Sequence, residues 1–323
     1  MNDARQIRLD ATREAARLRR DLGVAADEPA DPFHAINELG LWLLFNELDG
    51  LLGAMSREGV GGILINPLRP LGMQRYTAAH ELGHWRMHPD HETTWDSDEE
   101  VMKSGIRIER EAQAFAAAFL MPRRLLNAAL RREGISPGDL VSPHQAYAIS
   151  RDIGVSYEAL VHELANIKKI TPQNRTTLLK KRVRDIKAAL GGSGETISGS
   201  QLWTVERQNT NNLVHLLEGD ELSVTLPEAP STGYRWDFDD VSGSLDVVRD
   251  VVEPNAERLI GGALTRQVLF RAEQSGEVDV VAHLTRPFER GNAAVDSFAV
   301  RAEITPTPAR QSAMLVTATG VMS

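Results

Sequence analysis

Thr77-Ala78-Ala79-His80-Glu81-Leu82-Gly83-His84-Trp85 contains the pattern H-E-x-x-H, and its reading decides the fold of the first half of the chain. On a helix, positions i and i+4 share a face, so His80 and His84 can both reach one Zn²⁺. Glu81 stands beside them, placed to take a proton from a metal-bound water as general base. Ala78, Ala79 and Gly83 are small enough to permit close packing around such a site. The competing reading is a histidine pair on a helix surface with no ligand. The spacing therefore predicts a helix over 75–88 and one zinc ion per chain.

Working outward, the flanking segments read as mixed α and β. Apolar residues recur at helical spacing over 11–22 and 31–39, and two short apolar strands are expected over 51–55 and 62–66. A helix rich in Ala, Phe and Leu runs over 108–121 and stops at Pro122. Shorter helices follow over 143–149 and 156–167, the second with Ser156 as its N-cap. An amphipathic helix is expected over 171–190, with Leu179, Val183, Ile186 and Leu190 on one side. Gly191-Gly192-Ser193-Gly194 then breaks it.

Beyond that break the period changes to two. Leu222, Val224 and Leu226 alternate with polar residues, as do Val268, Phe270 and Ala272, then Val278, Val280, Ala282 and Leu284, then Phe298, Val300, Ala302 and Ile304. Several short strands of this kind predict a small all-β sandwich or barrel. Charge shifts at the same place. From Gly191 onward there are 10 Lys+Arg against 19 Asp+Glu, whereas 26 of each precede it. The 323 residues are thus expected to form two domains. We set the boundaries at 1–170, a basic helix and Gly/Ser linker over 171–198, a β domain over 199–306 and a flexible tail over 307–323.

The chain has no Cys, which excludes disulfides, thiolate metal sites and cysteine nucleophiles. A metal must be held by His, Asp or Glu. No signal-peptide core opens the chain and no stretch reaches membrane-spanning length, so a cytoplasmic protein without membrane contact is expected.

R-Y-T-A-A-H-E-L-G-H-W over 75–85, followed by I-E-R-E-A-Q-A-F-A-A-A-F-L-M-P over 108–122, resembles the ImmA/IrrE family of metallopeptidases. G-G-I-L-I-N-P over 61–67 looks like the strand this family places before its zinc helix. The resemblance covers most of residues 1 to about 170 and implies an α+β zincin-like fold. It implies a third zinc ligand on the second helix, within a motif similar to E-x-x-A-N-x-F-A. That alignment makes Glu109 the ligand and puts Gln113 at the Asn position, as hydrogen-bond partner of a ligand histidine. Glu111 is the competitor. Glu109 shares a helix face with Ala112, Ala116 and Leu120, and Glu111 shares one with Phe115. His88 and His91 follow the motif at a spacing that is not the metzincin one. They read as solvent-facing or supporting histidines, or else as groups that steady a transition state, and Tyr76 reads as packing. The segment over 149–168 resembles the helix-turn-helix-like tail of the same family. The basic residues Lys168, Lys169, Arg175, Lys180, Lys181, Arg182, Arg184 and Lys187 are either a DNA-contacting stripe or the wet face of a connecting helix.

In the second half, L-P-E-A-P-S-T-G-Y-R-W over 226–236, Gly261-Gly262 and T-R-P-F-E-R over 285–290 resemble the chagasin-type inhibitors of papain-like cysteine peptidases. The resemblance covers about 200–306 and implies an immunoglobulin-like sandwich whose three loops enter a peptidase cleft. Thr232, Gly233 and Tyr234 would form the first loop, Gly261 and Gly262 the second, and Arg286, Pro287 and Phe288 the third. Ala229 and Phe288 depart from the usual Asn and Trp.

Together these resemblances imply a zinc endopeptidase that cuts a helix-turn-helix repressor or antitoxin, joined to a domain that inhibits a papain-like cysteine peptidase or recognises a partner. Two other readings stay open: a binding protein whose zinc domain is a sensor or scaffold, and a DNA-binding regulator.

Overall fold

In the computed structural model, the residues described are 2–90, 93–97, 107–193, 199–229, 232–254, 264–286 and 294–312. The chain divides into two compact units, Met1–Val183 and Arg184–Gln311.

The first unit is helical around one small sheet. Helix α1 (Asn2–Asp21) buries Ile7, Ala11, Ala15 and Leu18, one seam of a regular amphipathic helix. Helix α2 (Pro32–Glu38) is capped by Asp31, whose side chain accepts from the Phe33 amide. Strands β1 (Trp42–Phe45), β2 (Leu51–Ser56) and β3 (Gly62–Ile65) precede helix α3 (Leu71–Met87), and strand β4 (Thr93–Ser97) follows it. The sheet order is β1-β3-β2-β4, parallel at β1–β3 and antiparallel elsewhere. β1 went unread in the sequence because Trp-Leu-Leu-Phe is too short to show a period.

Helix α4 (Arg107–Leu120) ends at Met121-Pro122, as expected, but Pro122 also opens the next helix, α5 (Arg123–Arg132). Helices α6 (Pro143–Ile153) and α7 (Tyr157–Asn166) are joined by Gly154, whose φ of 78° supplies the left-handed turn. Ser156 caps α7 as its sequence position suggests, accepting from Ala159 N at 3.1 Å. The single helix expected over 171–190 is instead two: α8 (Pro172–Leu179) and α9 (Val183–Ala189). The Leu178 carbonyl accepts from the Tyr157 hydroxyl at 3.1 Å and from the Lys181 amide at 2.9 Å, which tightens the last turn of α8 and ends it.

The second unit is two four-stranded sheets sharing one core. Its strands are β5 (Leu202–Glu206), β6 (Leu213–Leu217), β7 (Glu221–Glu228), β8 (Arg235–Phe238), β9 (Leu245–Pro254), β10 (Leu264–Ala272), β11 (Gly276–Thr285) and β12 (Asp296–Thr305). They pair in the orders β5-β7-β10-β9 and β6-β12-β11-β8. The alternating residues expected to face inward do so: Leu222, Val224, Leu226, Val268 and Phe270 from one sheet meet Val280, Ala282, Phe298, Val300 and Ile304 from the other. Trp236, 1 % exposed, fills the centre and donates its indole N–H to the Pro227 carbonyl at 2.7 Å.

Helix α9 and the turn after it lie on the outer face of the first of these sheets. Arg249 donates to the Gly191 carbonyl at 2.6 Å, Ser193 N to Glu221 at 3.2 Å, and Lys187 Nζ to the Ser200 carbonyl at 2.5 Å. Residues 308–312 form a helical turn, and Arg310 pairs with Glu218. Among the described residues no helix is long and apolar enough to cross a membrane.

Candidate metal centre

Helix α3 is buried on every side through Thr77–His84, so it runs through the interior of its unit rather than along its surface. Two glycine contacts set how closely its neighbours approach. A Cβ on Gly83 would lie 3.0 Å from both Cα and O of Ala112, so α3 and α4 touch backbone to backbone there. A Cβ on Gly53 of β2 would lie 2.5 Å from the Thr77 side chain, which fixes the opposite side. This close approach across Gly83 brings His80 and His84 of α3 to Glu109 of α4.

The three side chains converge. His80 Nε2 and His84 Nε2 are 3.1 Å apart, His80 Nε2 is 3.2 Å from one Glu109 oxygen, and His84 Nε2 is 3.4 Å from the other. His80 is 1 % exposed and His84 is fully buried. Ligands bonded tetrahedrally at about 2.0 Å lie about 3.3 Å from one another, so these separations fit a two-histidine, one-carboxylate zinc set. The buried Nδ1 of His84 has no hydrogen-bond partner among the described residues. Burial works against a charged Glu109, but hydrogen bonds from His80 and His84 outweigh it and hold the carboxyl well below the usual range.

Glu81 is fully buried between the two histidines in sequence. Glu111 points elsewhere: its oxygens lie 3.7 Å from His88 Nε2 and 2.8 Å from Arg107 Nε. His88, 8 % exposed, ends α3, and its ring follows those of His80 and His84 at successive centroid distances of 4.7 and 5.6 Å. Gln113 and Tyr76 line a groove beside α1. Burial, with the nearby Glu163 charge, pushes the Tyr76 hydroxyl up to about 12. His91 lies outside the described residues.

Arg57 went unread in the sequence. Its guanidinium donates to the carbonyls of Trp85 at 2.6 Å and His88 at 3.2 Å, and stacks 4.1 Å over the Trp85 ring. These carbonyls are the orphan acceptors at the end of α3. No local pattern marks a cap supplied from 28 residues away. Asn66 is another brace: its amide donates to the Leu48 and Leu51 carbonyls, both at 2.9 Å, holding the loop between β1 and β2.

In the β unit, Thr232 donates its hydroxyl to the Ala229 carbonyl at 2.6 Å, and Gly233 adopts a φ of 78°. Arg286 stacks 4.3 Å over the Tyr234 ring, so the start of the expected third loop meets the first. Gly261, Gly262, Pro287 and Phe288 lie outside the described residues. Of the basic run, Lys187 is 8 % exposed and held by Ser200, and Arg175 is 3.0 Å from His162 Nδ1.

Comparison with known proteins divides the chain the same way. Residues 36–165 match the family model of the IrrE N-terminal-like domain of M78 peptidases, and residues 215–302 match the chagasin family of I42 peptidase inhibitors. No curated protein matches the sequence. Among solved structures, the cysteine protease inhibitor EhICP2 of Entamoeba histolytica is 18 % identical, covers 33 % of this chain and 97 % of its own, and has a TM-score of 0.32. Amebosin is 20 % identical, with 33 % and 100 % covered and a TM-score of 0.28. PbICP-C, solved in complex with falcipain-2, is 16 % identical, with 32 % and 99 % covered and a TM-score of 0.25. The chain is therefore similar over 36–165 to the IrrE N-terminal-like domain and over 215–302 to the chagasin family.

Proposed function

We propose that the first unit is a zinc-dependent endopeptidase. The observation that carries this reading is the convergence of His80, His84 and Glu109 in one site, with Glu81 fully buried on the same helix as the two histidines. A zinc ion held there supplies a Lewis acid that polarises a peptide carbonyl and acidifies a water. His80 and His84 would hold the ion as neutral imidazoles, and Glu109 as a carboxylate. Glu81 takes the proton of the attacking water and passes it to the leaving amine. The zincin-like reading of this unit and the immunoglobulin-like reading of the other rest on the family matches. The substrate we infer, a helix-turn-helix repressor or antitoxin in the cytoplasm, rests on the resemblance to ImmA/IrrE enzymes.

Metal content tests the reading. Native protein should carry about one zinc per chain, and His80→Ala should lose it. Glu81→Gln should keep the zinc and lose cleavage of a helix-turn-helix repressor. Native protein that takes up no zinc even when zinc is supplied overturns the proposal.

The β unit supports a second activity, inhibition of a papain-like cysteine peptidase. The Arg286–Tyr234 stack favours it by joining two of the three loops such an inhibitor uses. Titration against papain tests this. Loss of inhibition in Thr232→Asp supports it, and a lack of inhibition by the native chain at micromolar concentration refutes it.

A further inference from the structure

Beside α1, and apart from the metal cluster, lies a half-open groove of about 1370 Å³. Its wall on one side is a single face of α1, marked by Arg5, Arg8, Thr12 and Ala16. The opposite wall is a single face of α4, marked by Arg110, Gln113, Ala117 and Met121. These α4 positions repeat at three- and four-residue steps; Arg110, Ala117 and Met121 lie about a quarter turn or more from Glu109, Ala112 and Ala116, and Gln113, about 40° from Glu109, borders the ligand face.

The lining has two chemistries. The floor is aliphatic and shallow, built from Ala16, Ala114, Ala117, Ala118 and Met121, with Leu9 exposed at its edge. The rim is basic. Eight Lys and Arg line the groove against one acid, Glu163. That acid is already spent, pairing with Arg8 at 2.9 and 3.0 Å. Arg19 is consumed by the carbonyls of Phe119, Ala25 and Glu28. The side chains of Arg5, Arg20, Arg124 and Lys168 are exposed and meet no partner among the described residues. Through residue 190 the chain has as many acids as bases, so this excess is a local segregation of charge, not a basic domain.

We propose that this groove binds an acidic amphipathic helix of a partner protein. Two neighbouring helix faces with alanines between them let a third helix approach closely, as ridges enter grooves. The volume matches about 17 Å of a helix about 10 Å wide, or roughly three turns, and is far larger than a lone anion needs. Apolar residues on one face of the helix meet the alanines and Met121. Its flanking carboxylates meet the guanidinium rim. Single-stranded nucleic acid fits less well, because Tyr76 is the only aromatic among the described residues that line the groove, too few for a stacking platform. Tyr76 stands one turn before His80 and Gln113 one turn after Glu109, so a bound helix would touch both helices that carry the candidate metal ligands. The proposal does not depend on the peptidase reading, and its test does not use cleavage.

The probe is a labelled 16-residue peptide with Leu at i, i+3, i+4 and i+7 spacing and Glu on the flanking positions. Binding to the full chain is followed by fluorescence anisotropy. A scrambled peptide of the same composition and a (dT)16 oligonucleotide serve as competitors. We expect saturable binding that falls tenfold or more for the scrambled peptide, for Arg20→Glu with Arg124→Glu, and for Ala117→Trp. All variants are checked for an unchanged circular dichroism spectrum. Ala117→Trp blocks the floor without altering charge, so it separates groove binding from bulk attraction. Equal binding of the scrambled peptide, undiminished binding by both variants, or binding of (dT)16 in place of the peptide overturns the proposal.

Discussion

Replacing Gly83 by alanine puts a methyl group where α3 and α4 touch. The new carbon would sit 3.0 Å from Cα and O of Ala112 and 3.3 Å from its Cβ. Ordinary carbon contacts are about 3.5–4.0 Å, so the two helices must separate by about 0.5 Å. Two effects oppose each other in stability. Alanine gains about 1 kcal/mol of helix propensity over glycine, and overpacking costs about 1–3 kcal/mol. The net change is a loss of no more than about 2 kcal/mol. The metal site has no such compensation. His80 and His84 ride on α3 and keep their 3.1 Å spacing, while Glu109 moves with α4 and its 3.2 and 3.4 Å contacts lengthen. A shift of about 0.5 Å is a quarter of a zinc–oxygen bond of about 2.0–2.2 Å. Zinc affinity should therefore fall tenfold or more while the metal-free protein stays folded. Competition with a chromogenic chelator reads the affinity, and thermal unfolding of the metal-free protein reads the stability. Wild-type zinc affinity in Gly83→Ala would refute the claim that this helix contact sets the ligand spacing.

Arg57→Met removes the guanidinium bonds to the His84, Trp85 and His88 carbonyls at the end of α3 and the stack on Trp85, and should cost about 2 kcal/mol, or about 4–8 °C in the melting temperature of the first unit. Differential scanning calorimetry checks it, and a melting temperature within 1 °C of wild type (roughly half a kcal/mol) would deny the capping role. Tyr157→Phe should cost about 1 kcal/mol at neutral pH by leaving the Leu178 carbonyl without its hydroxyl donor. Burial raises the Tyr157 hydroxyl to about 12 from an ordinary value of 10.0, so the folded state holds this proton more tightly than the unfolded state. Its contribution is complete below the ordinary value and is lost as pH rises toward 12. The stability gap between wild type and Tyr157→Phe should therefore shrink between pH 9 and 12 in denaturant titrations, and a constant gap contradicts the burial argument.

What the sequence made legible follows from the range of each interaction. His80, Glu81 and His84 lie within one turn of a helix, so spacing alone places them together. The β unit announced itself because Phe298, Val300, Ala302 and Ile304 alternate along a strand whose inner face is the core. The close approach of α3 and α4 was visible only as small residues, since nothing local says what Gly83 touches. Arg57 was invisible for the same reason: its partners are 28 and 31 residues away. The break between α8 and α9 was hidden because Leu179, Val183, Ile186 and Leu190 keep helical spacing across it. The Leu178 carbonyl at the end of α8 is met by the Tyr157 hydroxyl, 21 residues upstream, which no local pattern shows.

The choice between Glu109 and Glu111 shows how far helix geometry reaches and where packing takes over. At 100° per residue the two carboxylates point about 160° apart on α4, so they cannot serve one site together. The sequence narrows the choice only by the company each keeps, Ala112 and Ala116 beside Glu109 and Phe115 beside Glu111. In the folded unit the Ala112 side faces Gly83, which carries Glu109 to the two ligand histidines. Glu111 is held at 2.8 Å by Arg107 and lies near His88, with its charge already matched. Glu109→Gln should therefore lose zinc tenfold or more, because an amide oxygen is a weaker ligand than a carboxylate for a dication. Glu111→Gln should keep zinc within about threefold, since it breaks only the pairs to Arg107 and His88 at the end of the site. Isothermal titration of both variants with zinc decides the matter. If Glu111→Gln loses zinc and Glu109→Gln keeps it, α4 is rotated relative to α3 from the arrangement described, and the role given to Gly83 falls with it.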